Sequence, residues 1–227
     1  TSLLLSLLCL ALLIAFPLVA PALELTFYVS FVRRVMIFAL AASSLNFILG
    51  YGGMVALGHA AFFGAGAYAV AILSAEGVTS AYVAWPAAIL IAALLSLFVG
   101  AISLRTKGVY FIMITLAFAQ MVYYIFISLR KYGGEDGINL SGQSKLPGAP
   151  SWLNLADDTC FYYVVLLVVV LCLLWLNRLV NAHFGQALQG ICENESRMEA
   201  LGYPVMRIKL LAFVIAGGLA GLAGALF

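Results

Sequence analysis

The sequence predicts an all-α polytopic membrane protein, a bundle of about seven hydrophobic passages, and three observations predict it. Hydrophobic residues make up 65% of the 227 and charged residues only 9%, with a mean hydropathy of +1.13, whereas about a quarter of the residues in soluble domains are charged. Six stretches carry no formal charge: Thr1 to Leu23, Val35 to Ala75, Gly77 to Leu104, Gly108 to Leu129, Thr159 to Asn177 and Leu210 to Phe227. Most are near the roughly 20 residues that a helix needs to cross a bilayer. Val35 to Ala75 is 41 residues long, about twice what a hydrocarbon core accommodates. It must turn back or break, and counting it as two gives seven.

The first window could be a signal peptide, because Ala20-Pro21-Ala22 is rich in small residues. It lacks a basic leading region, and its length favours a retained span. The chain has no initiator Met, and Phe227 stops inside an apolar run with no cap, flanking charge or polar tail. It therefore reads as a fragment truncated at the C-terminus, with further helices expected beyond Phe227.

The long window carries the most distinctive chemistry. Gly50, Gly52 and Gly53 permit a chain break, so a broken or re-entrant helix is expected near Gly50 to His59. Irregular backbone at membrane depth persists only where protein or a water-filled cavity satisfies it, which marks the segment as a candidate substrate path. The same glycines also suit a plain turn beside a tight helix interface. His59 either faces a cavity or bonds a neighbour and pins the break. Asn46, Ser43, Ser44, Thr115 and Gln120 read first as interhelical hydrogen-bonding groups, with Asn46 and Gln120 also candidates for the path. Small residues follow: Ala60, Gly64 and Tyr68 on one helical row, Ala61, Ala65 and Ala69 on the next.

In the next span, Pro86 is expected in the first helical turn, where its missing N–H is harmless. Tyr82, Trp85, Trp152, Tyr162, Tyr163 and Trp175 sit at headgroup depth. Two hydrophilic segments are long enough to be more than turns. Residues 130–158 hold several glycines and prolines with three basic and four acidic residues, and read as an outer loop. Residues 178–209 differ: Phe184, Ala187, Leu188, Ile191, Met198 and Leu201 recur at helical spacing, Glu193 and Arg197 are four apart, and Gly202 with Pro204 ends the pattern. That predicts one short amphipathic helix outside the bilayer core. Arg178, Arg197, Arg207 and Lys209, with Arg105 and Lys107 two spans earlier, place the 178–209 segment and the turn at Arg105 to Lys107 inside, and 130–158 outside. In the last window, Gly217 and Gly221 form G-x-x-x-G, suited to close packing within one subunit or between two.

Several functions are excluded or disfavoured. The net charge of +2 is scattered in ones and twos, which does not suit nucleic acid. The four cysteines form no C-x-x-C pair, so neither a disulfide framework nor a zinc site is supported. After Arg34 no Asp, Glu, Lys or Arg lies inside a span, whereas ion-coupled carriers usually need one. No G-x-x-x-x-G-K-[ST] loop is present, so the chain holds no such ATP site. Gly133-Gly134-Glu135-Asp136-Gly137 lacks the residues of a phosphate or calcium loop. An intramembrane enzyme using His59 would need a second catalytic group at the same depth, and none is evident.

Three co-ordered segments carry a specific resemblance. Leu45 to Tyr68 resembles L-G-H-x-A-F-x-G-x-G-A-Y. Arg105 to Phe118 resembles R-x-x-G-x-Y-F-x-x-x-T-L-x-F. Phe184 to Leu188, Glu193 to Glu195, Glu199 to Gly202 and Lys209 to Phe213 resemble a cytoplasmic coupling region. Together they resemble LivM-type permeases of branched-chain amino acid ABC importers over about residues 45 to 227. The resemblance implies one incomplete transmembrane permease domain, 1–227, multi-pass in a bacterial inner membrane, with a periplasmic loop at 130–158 and a cytoplasmic coupling loop at 178–209. It implies a LivH-type permease, two cytoplasmic ATPase subunits and a periplasmic binding protein as partners. No cofactor is implied, ATP being used by the partners. Phe184, Ala187, Leu188, Ile191, Glu193, Glu195, Glu199, Ala200, Leu201 and Gly202 would then form a coupling helix seated on an ATPase, a helix-in-groove contact, although such a helix could also lie on headgroups. Related permeases for urea or short amides share the pattern, and a self-contained secondary carrier or channel is the alternative from another class.

Overall fold

The structure, a computed structural model, describes residues 2–19, 26–77, 80–129, 132 and 158–227. Helices dominate: α1 (Ser2–Val19), α2 (Thr26–Asn46), α3 (Ala60–Ala75), α4 (Ala81–Ser103), α5 (Val109–Ser128), α6 (Asp158–Asn181), α7 (His183–Glu193), α8 (Glu195–Ala200) and α9 (Val205–Leu226). Among the described residues, six spans are long and apolar enough to cross a membrane: Tyr28–Tyr51, Leu57–Ala75, Ala81–Ser103, Val109–Ser128, Asp158–Asn181 and Val205–Leu226. The 18-residue α1 is apolar too, but it is not among these six. The chain is a multi-pass, all-α membrane protein, as its charge-free windows predict. Ala20-Pro21-Ala22 and almost all of the 130–158 loop lie outside the described residues.

The last helix is the centre of the bundle. α9 runs against α4, α3 and α2, and the glycines that its sequence repeats are where the backbones meet. A Cβ on Gly217 would collide with Ser96, one on Gly221 with Ala92, and one on Gly66 of α3 with the Gly221 backbone. The G-x-x-x-G motif therefore packs helices within one chain. Without a hydrophobic driving force between helices in lipid, such close approach is what holds them together. Phe62, Phe111 and Phe213 fill the space beside it in edge-to-face contacts.

α2 and α6 form a second layer, closed by Val29, Ile37, Leu40, Tyr162, Val165 and Leu226. Arg33 joins their starts, pairing with Asp158 at 2.9 Å while lying over the Phe161 ring. α1 packs Leu13 and Phe16 against this layer, and Tyr162 and Tyr163 donate hydroxyl protons to its Leu13 and Ile14 carbonyls.

Two local expectations are corrected. Pro86 lies five residues inside α4, because the helix begins earlier, at Ala81, in the aromatic and apolar residues that precede it. The amphipathic segment is two helices, not one. Asn194 between them is extended (φ −155°, ψ 98°), and its side chain accepts from the Arg197 N–H at 3.0 Å. That is an N-cap starting a new helix, so Glu193 and Arg197 do not share one. Gly202 (φ +86°) then ends α8 as expected: its N–H bonds the Glu199 carbonyl and that of Tyr203 the Met198 carbonyl, the paired bonds of a glycine C-cap.

Candidate functional site

The long window resolves into a hairpin. α2 loosens into a π-helical turn over Phe47–Tyr51, the chain extends through Met54 to Ala56, and a 3-10 turn, Leu57–His59, leads into α3. Gly53 makes the reversal possible, with φ of +64°, where a side chain would cost about 1–2 kcal/mol. The Gly53 and Met54 amides bond back to the Leu49 and Ile48 carbonyls, so the end of α2 is satisfied without a further helical turn. Gly50 leaves room for Asn46, whose Oδ1 would be 2.6 Å from a Cβ there.

Inside the hairpin, His59 is 6% exposed and its Nε2 lies 2.9 Å from the Ser44 hydroxyl. Ser44 gives its own proton to the Ala41 carbonyl at 2.7 Å. With that proton on the Ala41 side, a neutral imidazole donates from Nε2 and keeps Nδ1 as its acceptor. That Nδ1 meets no donor among the described residues. Phe62 closes the ring edge-on at 5.7 Å. Gly58, next to it, abuts the Thr115 carbonyl of α5 so closely that no side chain would fit. His59 thus ties the two arms of the hairpin together and does not stand free in a cavity.

The turn of the hairpin borders a cavity of about 290 Å³ whose wall mixes apolar residues with the charged Lys107, Glu195 and Lys209, and which includes Gly52, Gly53 and Cys192. Glu195 Oε2 accepts from Lys209 Nζ at 3.0 Å and from Lys107 Nζ at 3.2 Å. Burial alone would raise the Glu195 carboxyl, but the two ammonium groups outweigh it and hold it below the ordinary carboxylate range. The contact puts the α4–α5 turn, α8 and the start of α9 on one side of the bundle, as the Lys and Arg distribution predicts. A second cavity, of about 320 Å³, opens between α3 and α5 and includes Ala60, Gly64, Tyr68, Gln120 and Tyr123. A Cβ on Gly64 would meet nothing within 4 Å, so the Ala60 and Gly64 row faces open space, while Ala65 and Ala69 of the adjacent rows are buried.

The sequence candidates for a substrate path therefore fall in separate places. Gly52 and Gly53 line the cavity beside Glu195, Asn46 and Gly50 sit exposed at the end of α2, His59 is buried, and Gln120 lines the α3–α5 cavity. Of the coupling candidates, Leu188 and Ile191 are buried, and Leu188, with Phe184 packed beside it, belongs to the cluster that holds Phe47, Ile48 and Met54 of the hairpin. The bundle itself covers much of the apolar row. Ala187 and Glu195 are half-buried, and Glu193, Glu199, Ala200, Leu201 and Gly202 are exposed. Sequence reasoning missed Lys107, Lys209 and Cys192. The lysines stand alone at span ends and read only as topology signals, and nothing local joins them to Glu195.

Residues 27–227 match the family described as branched-chain amino acid transport system / permease component. Over 212 residues the chain is 32% identical to the high-affinity branched-chain amino acid transport system permease protein LivM of Escherichia coli (strain K12), covering 85% of this chain and 50% of that protein. The protein of the same description from Salmonella typhimurium is 31% identical with the same coverage. The chain spans about half the length of the curated relatives it matches. No solved structure matches it.

Proposed function

The chain belongs to the branched-chain amino acid transport permease family, and from that premise we propose that it is the translocating permease subunit of an ATP-binding cassette importer. The cargo is branched-chain or related amino acids, and the membrane is the bacterial inner membrane. ATP is hydrolysed by two separate cytoplasmic subunits, so this chain needs no cofactor and catalyses no reaction of its own. A LivH-type permease shares the path, and a periplasmic binding protein delivers the cargo to the face that carries residues 130–158.

The observation that carries this reading is the placement of α7 and α8. They are short helices between spans, one packed on the hairpin and the other with no buried residue. The exposed Glu193, Glu199, Ala200, Leu201 and Gly202 form the surface that meets the ATPase, with Phe184, Ala187, Leu188, Ile191 and Glu195 relaying motion inward. Asn46, Gly50, Gly52, Gly53 and Gln120 border the path, and His59 acts through the shape of the hairpin. After Arg34 the formal charges of the spans lie near their ends, at Asp158, Arg178, Arg207 and Lys209, and the lack of one deeper inside supports an external energy source.

Reconstitution tests the reading directly. The full-length protein assembled with its partner permease, ATPases and binding protein should accumulate leucine, isoleucine or valine in vesicles only with ATP, and the permease alone should move none. Solute movement by the purified permease alone, down a gradient or with an ion, would replace this reading with that of a self-contained carrier.

A further inference from the structure

We infer that Glu195, through its paired contacts to Lys107 and Lys209, is the positioning residue that passes displacement of α8 into the spans, and that it does not itself meet the ATPase. The inference rests on the proposed function and deepens it. Its basis is the geometry of one oxygen atom: Glu195 Oε2 holds Lys209 at 3.0 Å and Lys107 at 3.2 Å. Lys107 stands two residues before α5, and Lys209 lies in the first turns of α9, the central helix. A displacement of α8 therefore reaches the starts of two spans through a single carboxylate.

Apart from Glu195, α8 meets the bundle through half-buried Met198, whose thioether packs on Gly190 of α7. None of the α8 residues is buried, whereas α7 is anchored by Gly185, Leu188 and Ile191. The two helices meet at Asn194, which is extended and satisfies the first turn of α8 by itself. A load on exposed Leu201, 66% accessible, can pass along the chain through Gly202 to Pro204 into α9, to α7 through Asn194 and the packing of Met198 on Gly190, or sideways through Glu195, which alone also reaches the start of α5. The Glu195–Lys209 contact is the better shielded, with the lysine side chain 16% and the carboxylate 26% exposed. Charge-assisted bonds of this kind are about twice as strong as neutral ones. Cys192, the last inward contact of α7 before the joint, packs its Sγ on Gly53, so the same cavity wall includes the hairpin turn.

The test uses the assembled importer in proteoliposomes, measuring ATP hydrolysis and amino acid uptake on one preparation. Glu195→Gln should lower uptake about fivefold while hydrolysis stays within about twofold of the parent, the size of effect that loss of one coupled contact produces. Glu195→Lys should do the same or worse. Glu195→Lys with Lys209→Glu restores two ammonium groups and one carboxylate at the site, and should recover uptake to within about twofold of the parent. Equal losses of hydrolysis and uptake in Glu195→Gln would overturn the inference in favour of direct ATPase contact, as would a charge exchange no better than Glu195→Lys alone. Loss of assembly in both Glu195→Gln and the exchange would also overturn it, since the contact would then merely hold the fold. If the parent importer does not couple ATP to uptake, the proposed function itself falls; the clasp falls alone when the parent couples and the variants match it.

Discussion

Tyr162 donates its hydroxyl proton to the Leu13 carbonyl at 2.9 Å, and Pro17 is the reason that carbonyl is free. Proline has no N–H, so the bond that position 17 would make to position 13 in α1 is missing. The buried Tyr162 hydroxyl supplies it from α6. Tyr162→Phe should lower the stability of the detergent-solubilised protein by about 1 kcal/mol, the scale of an interhelical hydrogen bond. In a Pro17→Ala background the helix makes its own bond, and the same substitution should cost less. An undiminished cost there, measured by thermal unfolding, would show that the proline has no part in it.

Ser44 and His59 should prove energetically coupled. Removing either leaves the other buried without its partner, so the double variant Ser44→Ala, His59→Phe should cost less than the two single costs added, by about 0.5–3 kcal/mol. A double-mutant cycle of unfolding free energies measures this; strict additivity would mean that the 2.9 Å contact contributes nothing.

Gly66 and Gly64 lie on the same helix and predict opposite outcomes. A methyl on Gly66 strikes the Gly221 backbone, whereas one on Gly64 meets open space. Gly66→Ala should therefore cost about 2–3 kcal/mol through overpacking, and Gly64→Ala should stay within about 0.5 kcal/mol of the parent. Size-exclusion profiles and unfolding temperatures of the two variants, prepared side by side, compare them.

Gly53→Ala combines two penalties, a left-handed φ of +64° and a collision with Cys192 Sγ 2.7 Å from the new Cβ. Cys192→Ala should relieve the collision and leave the backbone term of about 1–2 kcal/mol. If the cysteine change rescues Gly53→Ala completely, the turn does not need glycine for its conformation.

The pH dependence of Glu195 has a definite sign. Its folded carboxyl titrates below the ordinary value, so the stability it adds is fully present above the unfolded pKa of about 4.3 and is lost as pH falls through the lower folded value. The stability gap between parent and Glu195→Gln should be flat from neutral pH to about 5 and then narrow. A gap that widened on acidification would contradict the lysine contacts.

The fold was legible wherever physics left few options. A 41-residue charge-free window cannot be one span, and the glycines at 50, 52 and 53 mark where it reverses. Gly202 before Pro204 marks the end of α8 for the same local reason. Rotation about a helix axis was less legible. α5 is apolar on every side, so its sequence has no period from which to orient Gln120, and the structure puts that residue on an open groove. The row Phe184, Leu188, Ile191 was readable as one face, but periodicity says only that such a face needs covering, and the hairpin does much of it. The Glu195 contacts join residues far apart in the chain, which no local pattern encodes. Asn194 was hidden differently: helix spacing continues across it by coincidence, while its capping side chain starts the turn anew.

That short interruption changes how force travels. Both helical ends at Asn194 are satisfied locally, the Asn194 amide bonding the Gly190 carbonyl and its side chain serving Arg197. Rotation at Asn194 would break neither bond and would be resisted by the packing of Met198 on Gly190. The assembly behaves as a wrist rather than a rod: torque on the outer piece dissipates as rotation unless something grips it on the far side of the joint, and the direction of thrust inside the membrane is set by where that grip sits.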